Sequence, residues 1–169
     1  MQDMTPRMVA CIPALRRYAR GLTGNKDDAD DLVQDALERA WSRFALWQRR
    51  GDLRAWLFSI LHNRFVDRMR ASRASPEEPM DEDGIEVPVR ATQSDMLEVR
   101  DIGAALNRLA PDQREVLLLV AVEQMSYAQV ADVLSVPVGT VMSRLSRARE
   151  QLHAALEGRE TVSRLKVVK

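Results

Sequence analysis

Met125–Arg149 reads MSYAQVADVLSVPVGTVMSRLSRAR. Ala128, Val130, Ala131, Val133 and Leu134 recur at helical spacing, and Ser126 stands where an N-cap belongs. Ser135-Val136-Pro137-Val138 reads as a tight turn. A second helix is predicted from near Gly139-Thr140 to about Leu156, with Val141, Leu145, Ala148 and Leu152 inward. A short helix, a tight turn and a longer helix form the helix-turn-helix pattern. The outward face of the longer helix carries Thr140, Met142, Ser143, Arg144, Ser146, Arg147 and Arg149. Hydroxyls and guanidiniums near such a helix's N-terminus suit the major groove, where Arg bridges guanine O6 and N7. A helical hairpin that binds only protein is the competing reading. Just upstream, Ile102, Ala105, Leu106 and Leu109 mark a short amphipathic helix over 101–109. Pro111 then fits the first turn of a helix running through Val116–Val122 to about Glu123.

Further upstream the composition changes. Ser75–Val89 reads SPEEPMDEDGIEVPV, with three prolines, one glycine and six carboxylates but no basic residue. Like charges and helix breakers favour extension, so residues 73–94 are expected to be a flexible linker reaching roughly 70 Å when extended. Net charge is zero over 169 residues, with 25 basic and 25 acidic side chains. That balance excludes a uniformly basic coat but not basic patches. Most of the basic charge lies before the linker, and nearly all of it is Arg, with Lys only at Lys26, Lys166 and Lys169. Aromatics divide likewise, Tyr127 alone lying behind the linker, so the two halves are expected to have separate cores. One Cys excludes an intrachain disulfide, and Cys11 with His62 and His153 falls short of a zinc site. No cofactor or metal is expected. There is no membrane-length apolar run and no signal pattern, so no membrane insertion and a cytoplasmic location are expected. No nucleophile–base set and no phosphate-cradling glycine loop point to an enzyme.

The front half reads as three helices. Ile12, Leu15, Tyr18, Ala19 and Leu22 form the first apolar stripe, which Gly21 and Gly24 are expected to end. Asn25 is the predicted N-cap of the second helix, and Asp27 and Asp28 lie in its first turn, where the helix dipole favours negative charge. Leu32, Val33, Ala36, Leu37, Ala40, Trp41 and Phe44 trace its stripe. Asp52 is the predicted cap of a third helix with Leu53, Trp56, Leu57, Ile60, Leu61 and Phe65 inward. Trp41 and Trp56 are expected in the core. Asp31, Gln34, Asp35 and Glu38 form an acidic-polar outer face, while Arg49, Arg50, Arg54 and Arg64 cluster with aromatics as single-strand binders do. Both features are also what a solvated surface would show.

Taken together, these segments are recognisable. Asp27–Trp41 (DDADDLVQDALERAW) and Gly51–Arg64 (GDLRAWLFSILHNR) resemble region 2 of bacterial sigma factors. Leu106–Leu119 and Met125–Arg149 resemble region 4, and the two-domain layout is similar to the extracytoplasmic-function group of the sigma-70 family. The resemblance implies an all-α fold with a region 2 bundle over 1–72, the acidic linker over 73–94, a region 4 helix-turn-helix over 95–158 and a tail over 159–169. It implies a protein that binds core RNA polymerase, directs it to promoter DNA and is held by an anti-sigma factor. It assigns Asp31, Leu32, Gln34 and Asp35 to the clamp helices of the largest polymerase subunit. Arg54, Asn63 and Arg64, with the Gln48–Asp52 loop, fall to the −10 element, and Thr140, Ser143, Arg144 and Arg147 to the −35 element. Leu46, Val66 and Met69 are candidate contacts for the anti-sigma factor. Met142 stands where many relatives carry a basic residue. Ser135 stands where the family often has Gly, and a left-handed conformation there would cost about 1 kcal/mol relative to Gly. The alternative is a sigma-like decoy that titrates an anti-sigma protein without binding DNA.

Overall fold

The computed structural model describes residues 4–47, 51–75 and 93–165. Those residues form helices α1 (Met4–Thr23), α2 (Lys26–Trp47), α3 (Leu53–Ala74), α4 (Gln93–Asn107), α5 (Pro111–Leu117), α6 (Tyr127–Leu134) and α7 (Val138–Leu165), with a π-helical turn at Leu118–Val122. Among the described residues there is no strand. The expected all-α fold is what the chain adopts.

The helix ends follow local chemistry. Asn25 Oδ1 accepts from the Asp27 and Asp28 amides at 2.8 and 3.2 Å. Asp52 caps α3 through the Arg54 amide at 2.9 Å. Ser126 and Gln129 close a reciprocal capping box at the start of α6. Pro111 occupies the first turn of α5, where its missing N–H is not needed. Arg114 tidies the end of α4, donating to the carbonyls of Leu106, Asn107 and Leu109, and reaches the Leu22 carbonyl of α1 at 3.3 Å.

Four expectations about local structure need correction. Only Gly24, at φ 70°, ends α1, while Gly21 stays helical. A Cβ at Gly21 would stand 2.6 Å from Leu118 Cδ1, so this glycine serves close packing rather than termination. The first helix of the back half begins at Gln93, and α3 runs to Ala74, so both intrude on the expected linker; residues 76–92 lie outside the described ones. The helix expected to reach Glu123 widens into the π turn, where the Glu123 amide bonds five residues back to Leu118 O at 3.0 Å. Trp41 is 55% exposed. At 100° per residue it sits far from the buried line of Val33, Ala36 and Ala40. Trp56 is half-buried and stacks on buried Trp47, with ring centroids 5.6 Å apart.

The larger correction concerns the core. α1, α2 and α3 pack as one bundle, and α4, α5 and α6 pack around α7. The two bundles do not keep separate cores. α3 lies on α6 and α1 on α5, and one apolar cluster runs from Leu15, Leu32 and Phe58 through Leu118 and Leu119 to Val130, Val141 and Leu145. Leu118 at the end of α5 packs against Gly21 of α1 and joins the two.

Candidate functional site

α2 presents one stripe to solvent. Asp31, Gln34, Glu38 and Trp41 recur at spacings of three and four, and all four are exposed. Gln34 Nε2 donates to Glu38 Oε1 at 3.0 Å, which orders the middle of the stripe. Asp35 lies at its edge and is tied to α3: Arg68 donates to its Oδ2 at 2.7 Å and Arg64 at 3.4 Å. The Arg68 hydrogen bond holds the Asp35 carboxyl below the usual carboxylate range. Leu32, expected to touch a partner, is completely buried. It supports the stripe from within the core and cannot reach a partner in this arrangement. Trp41 is the member that sequence reading misassigned. Its spacing of seven from Gln34 and three from Glu38 was the available signal, since it continues the polar face rather than the apolar one.

The three residues assigned to melted DNA do not share a face of α3. Arg54 and Asn63 are nine residues apart, half a revolution around the helix. Asn63 is exposed. Arg64 lies in the α2–α3 seam against Asp35 and Asp67. Arg54 turns toward the back half, where its Nη2 donates to Glu123 Oε2 at 2.7 Å and to the Glu123 carbonyl at 3.0 Å. Its guanidinium also lies over the Phe58 ring, 5.1 Å from the centroid. Trp47 and Trp56 stack at the root of the Gln48–Asp52 loop, of which residues 48–50 are outside the described ones.

The α6–turn–α7 unit has the geometry expected of it. Ser135 is left-handed, at φ 54° and ψ 46°, and the Val136 amide returns to Ala131 O at 3.1 Å. Val141, Leu145 and Ala148 anchor α7 in the core. Opposite them Ser143 and Arg147 are exposed, flanked by half-buried Thr140 and Arg144. The Ser143 hydroxyl donates to Thr140 O at 3.1 Å. Arg144 pairs with Asp112 at 3.4 Å, so one of the four is partly engaged within the fold. Met142 adds an exposed apolar side chain to one flank of this face. Among the described residues, no cluster of His, Cys, Asp and Glu could hold a metal ion, and no helix is long and apolar enough to cross a membrane.

Comparison with known proteins falls on these same two units. Residues 8–62 match the sequence profile of the sigma2 domain of PhyR, and residues 100–152 match that of sigma-70 region 4. The chain is 40% identical over 149 residues to the ECF RNA polymerase sigma factor EcfG of Rhodopseudomonas palustris, spanning 88% of this chain and 82% of that protein. It is 34% identical over 158 residues to the RNA polymerase sigma-E factor of Streptomyces coelicolor, spanning 89% and 84%. Its fold is similar to that of the sigma factor RpoE of Bartonella quintana, solved in complex with the anti-sigma factor NepR. The TM-score is 0.78 at 34% identity, over 93% of this chain and 98% of that one. CnrH, solved with the cytosolic domain of CnrY, is similar at a TM-score of 0.65 and 27% identity, over 93% and 87%.

Proposed function

The chain belongs to the extracytoplasmic-function sigma factors of the sigma-70 family, and on that premise we propose how its surfaces divide the work of transcription initiation. It is an alternative sigma factor, a subunit that binds core RNA polymerase and directs it to particular promoters. The observation that carries this reading is one chain presenting an acidic-aromatic stripe on α2 and a hydroxyl-guanidinium face on α7.

The stripe Asp31–Gln34–Glu38–Trp41 is the polymerase-binding surface. Carboxylates with an aromatic anchor at one end fit a basic helical partner, and Trp is among the residue types most often dominant in such contacts. Asp35, held by Arg64 and Arg68, fixes the edge of the stripe. Thr140, Ser143, Arg144 and Arg147 read the −35 element as duplex through the major groove. Arg144 must exchange its Asp112 partner for DNA to take part. Asn63 and Arg54 serve the −10 element from different faces of α3. Arg64 supports α2 rather than the melted strand. The units are region 2 over 1–72 and region 4 over 95–158, joined by the acidic linker. The chain works in the cytoplasm as a regulator with no catalysis of its own, and an anti-sigma factor restrains it, with Leu46, at 82% exposed, as one contact.

The test is capture of core polymerase by the full chain. Asp31→Arg and Trp41→Ala are expected to lose capture, while Arg147→Ala retains it. Undiminished capture by both α2 variants would remove that face from the account. Asn63→Ala is expected to leave closed-complex binding intact and to reduce permanganate reactivity of the melted bases; unchanged reactivity would reject its role.

A further inference from the structure

Where the back half meets α1 and α3, two glutamates are buried. Glu123, 3% exposed, follows the π turn. Arg17 donates to it twice, Nε to Oε1 and Nη2 to Oε2, both at 2.9 Å. Arg54 takes Oε2 and the backbone carbonyl. Glu115, eight residues earlier, accepts from the Tyr18 hydroxyl at 3.1 Å and lies 2.6 Å from His62 Nδ1. Gly21 between these two sockets lets Leu118 pack flush on α1.

The backbone is shaped for this contact. A π turn is a rare insertion that recurs at functional positions, and here it delivers Glu123. The next residue, Gln124, is left-handed at φ 54°, a conformation that L side chains seldom adopt. Beside the shared apolar cluster the seam is charge-paired, and its arginines remain partly open to water: the Arg17 side chain is 53% exposed and that of Arg54 is 34%. Breaking such a pair strands the buried Glu123 carboxylate without its partners, which is strongly unfavourable. Arg54 is also the residue that the proposed function assigns to the −10 strand. Its Nη2 is taken up by the Glu123 carboxylate and carbonyl, so Arg54 must release Glu123 before that nitrogen can meet a phosphate.

We propose that the back half is a latch: Glu123 and Glu115, seated on Arg17, Arg54, Tyr18 and His62, hold the free chain closed and sequester Arg54. The chain opens at this seam before the front half grips promoter DNA. The sequestering of Arg54 rests on the reading of Arg54 as a promoter contact; the closed state rests only on the geometry. A protein of two conformations binds with an apparent affinity reduced by the fraction that is competent, so weakening the latch strengthens promoter use.

Two variants open the seam by different physics without touching the polymerase or DNA faces. Arg17→Glu sets a like charge against Glu123. Gly21→Leu keeps α1 helical and drives a side chain into Leu118. In the full chain with Cys11→Ser, dyes at Ser72→Cys and Glu150→Cys report the distance between the halves by energy transfer. The unmodified seam is expected to give one narrow population. Each variant is expected to move most molecules to a broad, lower-efficiency population with unchanged helix content by circular dichroism. With core polymerase and promoter, each is also expected to reach half-maximal open complex at a tenth or less of the usual chain concentration. Retention of the narrow population by both folded variants would overturn the latch. Opening without any change in that concentration would overturn the sequestering of Arg54. A chain that never binds polymerase would fail the proposed function, while the energy-transfer shift would still decide the latch.

Discussion

The front half carries two polar faces of opposite charge, and they have opposite fates. On α2, Asp31, Gln34, Glu38 and Trp41 stand in solvent. On α1 and α3, Arg17, Tyr18, Arg54 and His62 are met by Glu115 and Glu123 of the back half. The difference is not in the presence of charge or of an aromatic, since each face has both. It is that one face has its complementary charges within the chain and the other does not. The acidic stripe on α2 has no basic helix of its own to cover it, which leaves it for a partner. The basic edge on α1 and α3 finds two carboxylates in the back half and is consumed by them. Complementarity inside the chain sorts the surfaces that are permanently available from those that require a conformational step.

The most severe way to break this comparison is to reverse charge on the open face. Asp31→Arg is expected to cost about 2–4 kcal/mol of affinity for core polymerase, the range for like charges brought together in an interface. Calorimetric stability is expected to stay within about 0.5 kcal/mol, because an exposed substitution touches nothing inside. A variant that instead unfolds would show that Asp31 supports the bundle. On the duplex-reading face, Arg147→Ala is expected to lose about 1–3 kcal/mol on the preferred promoter and less on altered sequences, by competition binding. Equal loss on every sequence would make Arg147 a phosphate contact.

Smaller effects sharpen the covered face. Tyr18→Phe removes one donor to Glu115 and is expected to cost about 1 kcal/mol in urea denaturation. Burial and the neighbouring Glu115 raise the Tyr18 hydroxyl well above its ordinary value. Its stability contribution is therefore fully present below pH ~10, the ordinary value of a free tyrosine, and is lost as pH rises toward the folded value. The Phe variant is expected to show a flatter alkaline limb; an identical limb would locate the sensitivity elsewhere. Ser135→Gly relieves the left-handed conformation at φ 54° and is expected to stabilise the chain by about 1 kcal/mol, read as a higher Tm. The smallest effect concerns Asp35, whose folded carboxyl lies low because of Arg68. Its contribution is present above pH ~4 and fades as pH falls through the folded value, and Arg68→Ala is expected to weaken that acid sensitivity, with Arg64 keeping the remainder.

What the sequence disclosed follows from the range of the forces involved. Caps at Asn25, Asp52 and Ser126 were readable because a side chain meets an amide two or three residues away. The helix-turn-helix was readable because its turn and both apolar stripes lie within 25 consecutive residues. Trp41 was misread because aromatic type suggested burial while its angular position placed it with Glu38. The seam was invisible for a different reason. Glu115 and Glu123 flank an apolar run and pattern like ordinary solvated charges, and their partners are 53 to 106 residues away. Gly21 looked like a terminator because the Leu118 side chain that needs its missing Cβ lies in the other half. Of the assigned site residues, those on α7 and the outward α2 face needed only helical geometry. Leu32, Arg54 and Arg64 needed tertiary packing.

Start-site selection tests the whole account most directly. Run-off transcription by core polymerase supplied with the full chain, on fragments of the host genome with the 5′ ends mapped, is expected to yield a discrete set of starts. Those starts are expected to disappear with Asp31→Arg and to weaken with Arg147→Ala. Polymerase that initiates at the same places with and without the chain would contradict it.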